Sequence, residues 1–431
     1  MSARKLTLAL AALLAATAAP ALAQSVAITG GKLVIGDGSD PIEGGTVLVQ
    51  DGKVIAAGRN VVVPAGIKTI DARGKWVTPG LVVAVTNLGL LDVDAVDDSN
   101  DSDADKAPFS AALDISAAIN PDAQHIKVSR AGGVTRAAVA PLGTSSIFGG
   151  QGAVIDLGAD PQAITVPRAF QYVELGETGA KRAGGSRVAS YVVLHNALGE
   201  AKELAVAPAE ARRDDVLLSR RDAQALIPVV TGKQLLYVHV ERAADIRMVL
   251  NLRAEYPALR LVIVGATEGW MVAGELARAG VPVLATPMVD LPESFEQLGS
   301  TQSNVGRMKA AGVKVSLGAF FDQPRYAPQY AGNLVALTRV PGASGLSWGQ
   351  AFAAISSGPA EALGMGERFG SLRAGRAGDV VIWDGDPLEV TSGVVKVYID
   401  GIEQPLDSHP TRLRDRYNTP NPGSLPRAYD W

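Results

Sequence analysis

The sequence predicts an α/β fold: a (β/α)8 barrel flanked by a small β-sandwich domain built from both chain ends. Two observations predict it. Short alternating apolar runs broken by turn signals fill residues 25–76 and return near residue 369. Between them, longer apolar strand-like runs alternate with helical stretches, which is the pattern of parallel βα units.

The elements follow in chain order. Arg4 and Lys5 precede an uncharged Leu/Ala run that closes on Ala21-Leu22-Ala23, so residues 1–23 read as a secretory signal peptide. The apolar run is too short for a comfortable span of about 20 residues. A periplasmic or secreted chain is expected, with no membrane attachment after cleavage. The absence of cysteine excludes a lipid-anchoring thiol and a disulfide framework.

Residues 24–78 carry strand-like runs at Ala27–Thr29, Lys32–Ile35, Gly45–Gln50 and Lys53–Gly58, with Asp51-Gly52 set for a tight primed turn. Similar character returns at Asp379–Trp383 and Val394–Ile399, so 24–78 plus 370–405 are expected to form one composite β-sandwich. Residues 79–369 form the expected barrel, TIM-like, with strands at Val134–Val139, Ala153–Asp156, Leu235–Val240, Leu261–Val264, Val281–Ala285 and Val313–Leu317. Within it, Ala243–Glu255 places Ile246, Val249, Leu250 and Leu252 at mostly helical spacing. Residues 406–431, rich in Pro and Arg, are expected to be an extended tail.

Charge narrows the partners. The chain has 40 Lys+Arg against 44 Asp+Glu, a net −4, and becomes more acidic once Arg4 and Lys5 leave with the leader. Nucleic acid is therefore excluded as a partner class. Asp92 to Asp105 contain seven aspartates, but an EF-hand counted from Asp101 would put Lys106 and Ala112 where Gly and Glu are required. The segment reads as a solvated loop.

Several motifs together resemble the amidohydrolase superfamily, in its secreted bacterial, imidazolonepropionase-like and prolidase-like branch. They are Lys75-Trp76-Val77-Thr78-Pro79-Gly80-Leu81, Ala118-Ile119-Asn120-Pro121, Ala131-Gly132-Gly133-Val134-Thr135, Gly149-Gly150-Gln151-Gly152, and the closing Pro359–Gly364, Gly370–Gly375 and Ala377–Trp383. The resemblance implies a barrel with one or two divalent metals at its C-terminal mouth, activating water against a carbonyl. It also implies where the ligands belong. The His-x-His after the first strand falls on Val85 and Asn87, the bridging Lys or Glu on Asp156, and the fifth-strand histidine on His239. The sixth-strand histidine falls on Gly265 and the eighth-strand aspartate on Phe320, with Asp322 two residues on.

Three reliable protein ligands are needed for a zinc site of ordinary affinity, and Val, Gly and Phe supply none. The expectation is a metal-dependent hydrolase scaffold for C–N bonds, catalytically degenerate, without a cofactor, acting as a binding or partner subunit. Such a chain would form a homodimer or a heterodimer with an intact relative. Two alternatives stay open. One is an active hydrolase with a rearranged site in which Asp322 is catalytic, Glu241 and Glu268 touch substrate, and His239 and Asp156 hold zinc. The other is a periplasmic solute-binding protein.

The remaining candidates carry less. His125, His195 and His409 match no ligand position, and Thr144, Ser145 and Ser146 lack a nucleophile elbow. Gly149–Gly152 is a tight turn rather than a phosphate cradle, because no Lys-Ser/Thr follows.

Overall fold

A computed structural model describes residues 25–93, 96–207, 216–321 and 323–418. The predicted leader and Asp322 lie outside the described residues.

At the start, β1 (Val26–Leu33) pairs antiparallel with β2 (Ile42–Gln50), and β2 with β3 (Lys53–Gly58). Asp51 and Gly52 between them have φ of 49° and 76°, the two positive angles that a primed hairpin turn requires. Strands β4 (Lys68–Asp71) and β5 (Trp76–Pro79) both run parallel to β1.

The barrel then opens with β6 (Leu81–Thr86). A two-strand ladder, β7 (Asp103–Ala104) with β9 (Gly143–Thr144), brackets β8 (Val134–Val139). The wall continues through β10 (Phe148–Asp156), β11 (Ile164–Glu174), β12 (Leu235–Val240), β13 (Arg260–Gly265), β14 (Val283–Ala285), β15 (Val315–Leu317) and β16 (Ala319–Phe321). The nine segments order as β15-β14-β13-β12-β11-β10-β8-β6-β16. Only Gly318 separates β15 from β16, so these are one strand in two halves, one on β14 and the other on β6. Gly318 donates to Ala285 O and accepts from Val85 N, both at 3.1 Å. The wall thus closes with eight strand positions.

One strand departs from the expected parallel order. β10 is antiparallel to both neighbours, β8 and β11. Its C-terminal end therefore lies at the end of the barrel opposite the C-terminal ends of β8, β11 and β12. The lumen is filled by Val82, Ala84, Ala138, Val154, Phe170, Tyr172, Leu235, Tyr237, Val262, Val264 and Leu284, all buried, and Phe170 stacks on Tyr237 at 4.1 Å between centroids. Gly152 is what admits the Phe170 ring, since a Cβ there would stand 2.1 Å from it.

After the barrel, β17 (Val380–Trp383) pairs antiparallel with β5 and with β18 (Val394–Ile399), which pairs with β19 (Ile402–Glu403). The first and last thirds of the chain therefore meet in one eight-stranded sheet with its own apolar core, including Val26, Ile28, Val47, Val77 and Ile382. Arg136 of β8 ties this sheet to the barrel: it is 5% exposed and contacts Asp379 at 2.8 Å, Asp400 at 2.7 Å and Asp156 at 3.8 Å.

The tail differs from the extended chain expected. His409–Tyr417 is an α-helix, started by a capping box between Ser408 and Thr411 with Pro410 in its first turn. The cap satisfies the N-terminal donors that the Arg-rich composition gave no hint of. No described helix is long and apolar enough to cross a membrane.

Candidate functional site

The register of the parallel strands decides what meets at the mouth. β11 and β12 run side by side from Phe170 opposite Leu235 to Glu174 opposite His239. Side chains alternate along a strand, so Phe170, Tyr172 and Glu174 share one face, as do Leu235, Tyr237 and His239. The lower pairs fill the lumen and the last pair reaches the mouth.

There His239 lies between two carboxylates. Its Nδ1 is 2.6 Å from Glu174 Oε1 and its Nε2 is 3.1 Å from Glu241 Oε1. Burial opposes a charge on the imidazole, but Glu174 first and then Glu241 outweigh it and hold its pKa well above the ordinary histidine value. Burial likewise opposes ionisation of Glu241, yet its hydrogen bonds from His239 and Thr267 hold its carboxyl below the usual range. With a carboxylate facing each ring nitrogen, the arrangement favours the protonated imidazolium, and the side chain is still 24% exposed.

Glu241 also occupies the neighbouring ligand position. Gly265 has φ of 87°, and a Cβ there would stand 2.6 Å from Glu241 Oε1. The other Glu241 oxygen accepts from Thr267 N at 2.7 Å. Across the mouth, Val85 is fully buried and Asn87 is 9% exposed. Phe320 packs its ring 5.9 Å from Tyr330. A family-type metal does not fit these residues: two positions are apolar, one has no side chain, and the retained histidine has both nitrogens engaged. Among the described residues no group of three or more His, Cys, Asp or Glu is placed to hold a metal ion.

Two of the predicted site residues stand elsewhere. Asp156 ends β10, and because that strand is reversed it lies at the far end of the barrel, with Arg136 and Asp379, away from His239. Burial pushes its carboxyl up to about 6 against the pull of Arg136. The fourth wall position is β11, so the bridging-ligand place belongs to Glu174, which the sequence reading passed over. Its signal was present: Phe170, Tyr172 and Glu174 alternate along one strand face, two aromatics ended by one glutamate. Glu268 accepts from Ala243 N, at the start of helix 243–255, and from Gly299 N, both at 2.9 Å, so both oxygens are engaged by backbone. Of the predicted residues, His239 and Glu241 are the two brought together. Asp322 lies outside the described residues.

The other candidates resolve into structural contacts. Thr144 Oγ1 donates to Phe148 O at 2.7 Å, and His195 pairs with Glu255 at 3.2 Å on the surface of helix 187–206.

The Amidohydrolase family profile matches residues 240–402. Amidohydrolase tasK of Hapsidospora irregularis is 25% identical over 406 residues, 84% of this chain, which spans 40% of that protein's length. Imidazolonepropionase of Acidiphilium cryptum is 27% identical over 376 residues, covering 81% of this chain and 89% of its own. The crystal structure of an amidohydrolase from Thermotoga maritima superposes with a TM-score of 0.75 at 25% identity, over 88% of this chain and 99% of the other. With the closed barrel, the shared sheet and the closing motifs, these likenesses lead to one conclusion: over most of its length the chain is similar to the amidohydrolase superfamily.

Proposed function

We propose that this chain is a catalytically degenerate amidohydrolase, exported to the periplasm or beyond, that acts as a binding or partner subunit. The observation that carries it is Glu241: its carboxylate fills the space that a side chain at position 265 would need, while its other contact closes Nε2 of His239. A metal-ligand place has been turned into a hydrogen-bonded buttress. Relatives named as amidohydrolase and imidazolonepropionase support a C–N bond hydrolase as the parent scaffold. The basic and Leu/Ala-rich leader supports export.

Metal analysis of the purified mature protein tests the reading. After mild dialysis it should carry below about 0.2 equivalents of Zn, Mn or Fe, because fewer than three ligands are free to bind. Stoichiometric metal that survives dialysis and disappears in His239→Ala would return the chain to the active hydrolases.

A further inference from the structure

At the barrel end opposite His239, a cavity of about 450 Å³ lies between the N-terminal ends of β14 and β15, helix 357–362 and the loop before β17. Ser316, Ser357 and Ser371 line it and are 4%, 8% and 5% exposed. None of the three hydroxyls has a hydrogen-bond partner among the described residues. Nor are these oxygens sealed within the packed interior, so their free donors and acceptors face the cavity. Three hydroxyls with free donors and acceptors around one cavity offer a polar occupant several hydrogen bonds at once.

The charges around it have one sign in excess. Arg373 and Arg376 are held by Asp37 at 3.2 Å and by Glu367 at 2.7 Å. Lys309 and Lys314 line the same cavity with no ion pair among the described residues, against Glu361 as the remaining lining carboxylate. Water alone would satisfy the hydroxyls; two lysines without ion pairs on the same lining favour negative charge.

We propose that this cavity binds a small organic anion carrying a carboxylate or phosphate group, received by the three serine hydroxyls and by Lys309 and Lys314. The site is independent of the mouth and of the function proposed for it. Its walls come both from the barrel and from the loops of the shared sheet, so an occupant would tie the two together. It would then stabilise the folded chain in proportion to its binding.

Thermal unfolding and calorimetry of the full mature chain test this with inorganic phosphate and with succinate, each against sodium chloride at equal ionic strength. At least one anion should raise Tm saturably. The Lys309→Met, Lys314→Met double variant, altered only at exposed side chains, should weaken that binding about tenfold or more. Ser371→Ala should weaken it about threefold. A response to phosphate alone identifies a phosphate ester as the ligand class, and a response to succinate alone a carboxylate. The proposal fails if neither anion exceeds the matched salt, or if the double variant responds as the wild type does.

Discussion

Asp156 is a carboxylate in the wrong place for metal chemistry and in a costly place for folding. Its pKa rises from the ordinary 3.8 to about 6, chiefly through burial. Between those values the folded chain binds more protons at this group than the unfolded chain does. This contribution to stability is therefore present at low pH and lost as pH climbs through about 6, with a ceiling of about 3 kcal/mol. Asp156→Asn, which keeps the acceptor for Gly158 N, should flatten the fall in unfolding free energy between about pH 4 and pH 6. Parallel denaturation curves for the two proteins across that window would contradict the assignment. Arg136 remains charged throughout, because Asp379 and Asp400 also face it, and so contributes no slope of its own.

The element that decides most is β10. Its reversal places Asp156 away from the mouth and leaves the fourth wall position to β11, so that Glu174 reaches His239. The strand can stand against β11 only because Gly152 leaves room for Phe170. Gly152→Ala should cost about 1–3 kcal/mol in urea denaturation, since a methyl group 2.1 Å from a packed ring cannot be accommodated without shifting it. Phe170→Leu in the same chain should recover part of that loss. Strict additivity of the two changes would show that they do not share the space.

For the whole molecule, the shared sheet makes the two ends of the chain dependent on each other. β5 is held between β1 and β17, so residues 25–78 without the last third have an unpaired edge and a wet apolar face. Expressed alone, that segment should show no cooperative thermal transition; a sharp one would overturn this dependence. The tail bears on assembly. Helix 409–417 is largely exposed and carries Arg412, Arg414, Arg416 and Tyr417, residue types enriched at interfaces. If the chain is a partner subunit, light scattering should find a dimer, alone or with a catalytically complete relative, and removal of residues 408–431 should weaken it. A full-length monomer that ignores the relative would end the partner proposal.

Much of this was legible from residues alone, for a local reason. Turn chemistry and apolar periodicity act over a few positions, so the hairpin at Asp51-Gly52, the strands at Val134–Val139 and Leu235–Val240 and the helix at Ala243–Glu255 stand where the sequence predicts them. The family place of His239 was legible for the same reason, in a continuous motif around one strand end. What the sequence could not decide was direction and adjacency. An apolar strand reads the same parallel or antiparallel, so the reversal of β10 and the displacement of Asp156 were invisible. A glutamate closing β11 means nothing until the register sets it 2.6 Å from a histidine 65 residues away. Glu268 looked available in sequence and is engaged in space, because a helix N-terminal amide and a loop amide converge on it. Local composition determined the elements of this protein; only closure of the barrel determined which side chains face one another.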